Sequence, residues 1–169
     1  MMVETNRLLV KKFTLKDASF FKELVNTPNW LKYIGDRNVK TINDAEAYIK
    51  NNHFKSYDTL GFGFYKLLLK EENNKPIGSC GLVKREGLDD VDIGFAFLPE
   101  YEGKGFGYES SIAVLKIAKE QFHLKKVVAI ASPTNLNSIK LLEKLGLIFE
   151  KKVKPFEDEK ELLLFAKSL

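Results

Sequence analysis

Three glycines at alternate positions, Gly103, Gly105 and Gly107 in the run Glu102-Gly103-Lys104-Gly105-Phe106-Gly107, stand just before a stretch with helical periodicity. Such spacing lets the main chain turn tightly and aim several N–H groups at one anion, and a helix starting there adds the positive end of its dipole. A diphosphate suits that chemistry. A flexible strand-to-helix connection explains the same glycines, and a lone glycine-rich loop is more often just that. The run lacks the Gly-Lys-Ser/Thr ending of a P-loop, and its strand follows other hairpin strands where a dinucleotide fold would have a first βαβ unit, so both motifs are excluded. Cys80 lies mid-strand without a neighbouring histidine, and packing explains it better than nucleophilic chemistry. As the only cysteine it rules out an internal disulfide and suits a reducing compartment. His53 and His123 are far apart with no metal-ligand partner at useful spacing, so no protein-ligated metal is expected.

The elements that must position this loop follow from periodicity. Leu8, Leu9, Val10 and Phe13 suggest a first strand over Arg7 to Phe13, and Leu15, Ala18, Phe21, Leu24 and Val25 mark one face of a helix. Trp30, Leu31, Tyr33 and Ile34 form an apolar patch in an expected loop or short turn, between Pro28 and Gly35. Thr41 with Asp44 caps a second helix, which ends before Gly61. Runs at Phe62 to Leu69, Pro76 to Val83 and Val91 to Leu98, separated by turns at Asn73-Asn74 and Gly87 to Asp90, read as an antiparallel meander. An amphipathic helix is expected from Tyr108 to about Phe122, with Ile112, Leu115 and Ala118 on its apolar side. A buried strand follows at Val127 to Ala131, then a helix from about Leu136 to Leu145 that Gly146 stops. Phe149 to Val153 and Glu161 to Phe165 close the chain as strands. The expected order is β-α-α-β-β-β-α-β-α-β-β, with no repeat or linker, hence a single domain over residues 1–169.

A chain of 169 residues with 44% hydrophobic and 30% charged side chains buries a core without metal or disulfide staples, which excludes disorder. Its apolar runs are far shorter than the roughly 20 residues of a membrane helix. Charges at Glu4, Arg7, Lys11 and Lys12 interrupt the first apolar run and leave no room for a secretory signal, which points to the cytoplasm. The net charge of +4 favours anions only mildly, because lysines alternate with acidic residues.

The chain resembles the GNAT superfamily of N-acetyltransferases, in its RimJ/RimL-like branch. The likeness runs through Glu4-Thr5-Asn6-Arg7-Leu8, similar to that branch's opening strand, and Pro76-Ile77-Gly78 with Gly81, similar to its third strand. It continues through Asp92-Ile93-Gly94-Phe95, Pro99 to Gly107, and Asn135, Ser138, Leu142, Leu145 and Gly146, which match an Asn-x-x-Ser helix after strand five. The resemblance implies an α/β fold of α+β character, one GNAT-type domain whose twisted, mostly antiparallel sheet is flanked by helices. It implies acetyl-CoA as co-substrate, bound by main-chain groups near Phe97 and Leu98, by the loop Gly103, Lys104, Gly105, Phe106, Gly107 and Tyr108, and by Asn135 and Ser138. Glu102 departs from the Gln, Arg or Trp usual there; it is expected to face solvent, because binding through N–H groups does not depend on that side chain.

Acetyl transfer to an amine needs a neutral nitrogen, an oxyanion donor and a proton for the departing thiolate. An alkylammonium with pKa near ~10.4 costs roughly 4 kcal/mol to neutralise at pH ~7.4, whereas an α-amine near ~8 costs about 1 kcal/mol. By resemblance Asp92 takes the place of a base, where relatives often carry Glu; its shorter side chain is equally explained by a structural role. Ser138 matches the serine that protonates the coenzyme sulfur, and it also suits a helix N-terminus. By the resemblance Trp30, Tyr33, Arg37 and Tyr48 fall where the family's first helices line the acceptor site, although for Trp30 or Ile34 taken singly a core role is the better explanation.

The resulting expectation is transfer from acetyl-CoA in a ternary complex to a primary amine, above all a protein or peptide N-terminal α-amine, with a ribosomal protein one candidate partner. The alternatives are a small-molecule amine acetyltransferase and a non-catalytic acyl-CoA-binding module. Lys32, Arg37 and Lys40 around Asp36 argue against a polyamine acceptor. No nucleic-acid motif is visible, and either a monomer or a homodimer fits.

Overall fold

Alternation along the chain builds one twisted eight-stranded sheet. The computed structural model describes residues 2–169. Strands β1 (Met2–Glu4), β2 (Leu8–Lys12), β3 (Phe64–Leu69), β4 (Lys75–Val83), β5 (Asp92–Phe97), β6 (Lys126–Ala131), β7 (Ile148–Val153) and β8 (Leu162–Ser168) lie in the order β1-β2-β3-β4-β5-β6-β8-β7. In β3 the side chains of Tyr65, Leu67 and Leu69 are buried while those between them are half-buried, the period-two pattern of a strand with one face on the core. Central β4 is buried on both faces from Ile77 to Leu82. At the β7 edge the exposed Glu150, Lys151 and Lys152 discourage pairing with another sheet.

Every neighbouring pair of strands is antiparallel except β5 and β6, which are parallel and meet at a single register point, Asp92 opposite Val128. There the Val128 N–H donates to the Val91 carbonyl at 2.9 Å. Beyond that point the two strands part, and the sheet opens into a gap.

Helices α1 (Ala18–Val25), α2 (Pro28–Tyr33), α3 (Ile42–Tyr48), α4 (Lys55–Leu60), α5 (Phe106–Glu120) and α6 (Leu136–Lys144) flank the sheet. A π-helical segment, Ile49–Phe54, joins α3 to α4. The Thr41 cap forms as its sequence predicts, with Asp44 N–H donating to Thr41 Oγ1 at 3.0 Å and Thr41 N–H to Asp44 Oδ2 at 3.1 Å. Helix α6 also ends as expected: Gly146 has φ +88°, its N–H bonds to Glu143 O, and Leu147 N–H bonds to Leu142 O, which together satisfy two terminal carbonyls. Helix α5 lies on β4 and β5, and α6 packs against α5 and β6.

Several expectations need correction. Residues Glu4 to Leu8 are not one opening strand. Thr5 closes a turn, its N–H bonding to Leu8 O at 2.9 Å and its Oγ1 accepting from Leu8 N–H at 3.0 Å, so a hairpin of β1 and β2 replaces it. The apolar patch around Trp30 forms the short helix α2, because Pro28 preorganises its first turn and Thr27 precedes it in extended conformation. Helix α5 begins two residues early, at Phe106, since Gly105 adopts φ +84° directly before it. Ile112 is 44% exposed; the buried side of α5 carries Ser110, Ser111, Val114 and Ala118. The observed order is therefore ββααααβββαβαββ: two strands precede α1, four α-helices precede β3, and the remainder follows the expected succession.

Candidate active site

The gap between β5 and β6 is the floor of a cleft of about 1300 Å³. Its shape follows from the ladder. Leu98 N–H bonds to Ile77 O at 2.9 Å, so by antiparallel alternation the main-chain groups of Phe95 and Phe97 face away from β4 and into the gap. This corrects the reading of Leu98, whose N–H is bonded to Ile77 and whose carbonyl accepts from Tyr101 N–H at 3.0 Å. Phe97 stays a candidate partner, and Phe95 joins it.

At the end of β5 the chain reaches the glycine loop. Gly103 and Gly105 have φ +71° and +84°, conformations that L side chains rarely adopt. Among the described residues, none of the N–H groups from Gly103 to Tyr108 has a protein acceptor; the first bonded one is Glu109 N–H, to Gly105 O at 3.1 Å. Six successive donors, three of them in the first turn of a 15-residue helix, form a cradle for an anion. A diphosphate fits it. Phe106 is itself buried, so it offers only its N–H, and the Lys104 side chain leans over the Tyr101 ring at 5.8 Å. Half-buried Tyr108 carries Lys144 Nζ over its ring at 4.3 Å. Glu102 is exposed, as expected, and both its oxygens accept from Asn29 Nδ2, at 2.9 and 3.1 Å, which ties α2 to the loop.

Across the gap, Asn135 caps α6 through its Oδ1, which accepts from Ser138 N–H at 3.3 Å. Its Nδ2 has no protein acceptor among the described residues, and neither does Ser138 Oγ. Both residues line the cleft.

Asp92 stands where β5 and β6 diverge and is 1% exposed. Burial lifts its carboxyl to about 6, against the downward pull of the Arg85 guanidinium, whose Nε bonds to Oδ2 at 2.6 Å. A carboxyl at that value is largely ionised at neutral pH and still binds a proton far better than a free Asp. The Arg85 pairing was not visible in the sequence, where seven residues and a turn separate the two.

Trp30, Tyr33, Arg37 and Tyr48, the residues expected at an acceptor site, all line the cleft. Trp30 Nε1 is buried without a protein acceptor, and Tyr48 tilts against Phe21 at 5.0 Å. His53, on the π-helical segment, is stacked on Phe13 at 4.6 Å, and burial depresses its pKa to about 4, so it is a neutral side chain of the wall. Cys80 is fully buried, its thiol pushed up to about 11 by burial, in keeping with a packing role.

The family described as the acetyltransferase (GNAT) domain matches residues 7–148. The chain belongs to this GNAT family. One relative, YnaD of Bacillus subtilis (strain 168), described as an uncharacterized N-acetyltransferase, is 29% identical over 147 residues, covering 87% of this chain and 82% of YnaD. Among solved structures, a GNAT-family acetyltransferase from Bacillus anthracis superimposes with a TM-score of 0.80 at 26% identity, over 99% of this chain and 98% of that one. A ribosomal-protein-S5-alanine acetyltransferase from Vibrio fischeri superimposes with a TM-score of 0.83 at 17% identity, over 99% and 96%, a likeness of fold alone. The protein is thus an acetyl-CoA-dependent N-acetyltransferase with the mixed α/β GNAT fold. No helix among the described residues is long and apolar enough to cross a membrane.

Proposed function

We propose that this acetyltransferase modifies a primary amine at a peptide or protein N-terminus, by direct transfer with both substrates bound. The observation that carries this reading is the cradle of six unpartnered N–H groups beside the open side of β5, with Asn135 and Ser138 facing it across the gap. The volume of the cleft exceeds the roughly 300–1000 Å³ of a single small-ligand pocket, which supports two substrates side by side.

Acetyl-CoA supplies an acetyl group activated as a thioester. The N–H groups of Gly103 to Tyr108 would hold its diphosphate, Asn135 Nδ2 and the Phe95 and Phe97 main chain its amide-bearing arm. The Phe97 N–H would donate to the thioester carbonyl oxygen as charge develops there. Transfer forms a C–N bond and breaks a C–S bond. Asp92 takes one proton of the ammonium, directly or through a water, and passes it to solvent; the second, lost as the amide forms, balances the one that Ser138 Oγ hands to the sulfur. With its carboxyl near 6, Asp92 is matched to an α-amine better than to a lysine side chain.

The test is acetyl-CoA turnover against a panel of peptide N-termini, lysine side chains and small amines. Transfer to peptide α-amines at least tenfold more efficient than to lysine side chains supports the proposal. A preference for small amines would move the protein to that class, and binding of acetyl-CoA without turnover of any amine would make it a binding module.

A further inference from the structure

Arg85 is held by two neighbours that leave its working edge open. Its Nε bonds to Asp92 Oδ2 at 2.6 Å and its guanidinium lies 5.5 Å from the centre of the Phe156 ring. Among the described residues, Nη1 and Nη2 have no protein acceptor, and the side chain, 23% exposed, lines the cleft. A guanidinium fixed on one edge and stacked on one face presents its remaining N–H groups as a preorganised fork, the geometry that recognises a carboxylate through two parallel hydrogen bonds.

The cleft lining holds a second arginine. Arg37, between α2 and α3, is half-buried on the cleft lining and makes no hydrogen bond or ion pair among the described residues. Of the charged residues next to Arg85 in the chain, Lys84 is tied to the carbonyls of Leu88 and Asp89 at 2.8 and 2.5 Å, and Glu86 is exposed. Asp92 is already paired. The cleft lining therefore offers two arginines with unsatisfied donors, alongside Lys55, the exposed Glu86 and an exposed Glu102 that is bonded to Asn29.

We infer that the acceptor carries a carboxylate within a few bonds of its amine, and that Arg85 is the residue that reads it. The placement requires nearness: Arg85 touches Asp92, so whatever meets the guanidinium edge adjoins the group that takes the amine's proton. The inference rests on Asp92 serving as that base. Two sources share the chemistry, an N-terminus with Asp or Glu in its first two positions and a free α-amino acid.

The experiment measures kcat/KM for matched acceptors that differ only in charge: peptides with Asp against Asn, or Glu against Gln, at positions one and two, and free amino acids against their amides. Wild-type protein is expected to prefer the acid by about tenfold or more, chiefly through KM, and Arg85→Gln to reduce that ratio to near one. The peptide and amino-acid arms separate the two sources. A second reading needs no turnover: N-acetylated Asp and Asn peptides are titrated against protein saturated with coenzyme A, and the acid is expected to bind about tenfold more tightly to wild type and not to Arg85→Gln. Equal use and equal binding of acid and amide, or a preference that survives in Arg85→Gln, overturns the inference. Turnover of amines without charge preference leaves N-acetyl transfer standing and removes this assignment, whereas acid-selective binding without turnover keeps the carboxylate site and removes the proposed reaction.

Discussion

Glu109, in the first turn of α5, accepts hydrogen bonds from both the main-chain N–H and the Nε of Arg7, each at 2.7 Å, across 102 residues of chain. Thr5 Oγ1 donates to the same carboxylate at 2.7 Å. Arg7 goes further: its Nη1 donates to Lys104 O at 3.0 Å, and its guanidinium lies 4.1 Å from the centre of the Phe106 ring. The N-terminal hairpin thus buttresses the glycine loop from behind, and it occupies the carboxylate that would otherwise oppose an anion at the cradle. Burial pushes the Glu109 carboxyl up, but the bonds from Thr5 and Arg7 outweigh it and hold the group below its ordinary value.

Replacing Arg7 by Met keeps an unbranched stem and removes the guanidinium donors, while the main-chain N–H and Thr5 still reach Glu109. Loss of a charge-assisted pair and of the Lys104 carbonyl bond is expected to cost about 1–2 kcal/mol of stability and to raise the KM for acetyl-CoA about tenfold, with kcat changed less. Thermal unfolding and initial rates at varied acetyl-CoA read the two effects. Because a depressed carboxyl stabilises the fold above its unfolded pKa and that contribution fades as pH falls through the folded one, the stability gap between Arg7→Met and wild type should narrow in acid.

Gly105→Ala tests the cradle itself. A methyl group there must adopt φ +84°, and it would come 3.3 Å from Arg7 Nη2. The strain is about 1–2 kcal/mol. Calorimetric titration should show coenzyme A binding weakened about tenfold or more; unchanged affinity would separate the loop from the diphosphate.

Ser138→Ala leaves the Asn135 cap in place, since the cap uses the Ser138 N–H and not its hydroxyl. Folding stability should change by less than about 0.5 kcal/mol. If Ser138 protonates the leaving sulfur, kcat falls about 10- to 100-fold while the KM for acetyl-CoA stays within about threefold. Full turnover in this variant would falsify the assigned role.

For Asp92 the pH profile is decisive. The base is competent when ionised, so wild-type kcat/KM should rise through a limb centred near 6 and level off above it. Asp92→Asn should lose at least about 100-fold at pH ~7.5 and lose that limb. The stability sign is the reverse of Glu109: a carboxyl raised by burial binds its proton more tightly in the folded state, so its contribution is full below the unfolded pKa and disappears as pH rises through about 6. Chemical unfolding of wild type and Asp92→Asn across pH ~4 to ~8 should therefore converge in acid and differ most above 6.

Elements governed by neighbours in the chain were legible from residue types. The Thr41 and Asp44 cap, the Gly146 stop and the meander of β3, β4 and β5 all depend on contacts a few residues apart or on simple alternation. The tight turn at Gly103 and Gly105 and the helix after it were legible for the same reason, because φ above zero and a helix start are local properties. Helix α2 was missed because six residues give too little periodicity, and Ile112 was assigned to the core because spacing alone does not say which side of α5 meets the sheet.

The amino-acid order by itself determined strands β2 to β8, the Thr41 cap and the Gly146 stop, and the free donors at the start of α5, since these arise from backbone conformations that adjacent side chains select. Tertiary structure alone decided where the sheet opens, why Leu98 is closed off while Phe95 faces the gap, and how Asp92 comes to be buried against Arg85. Those outcomes depend on strand register and on desolvation by residues far away in the chain, and neither quantity is written in any short stretch of sequence.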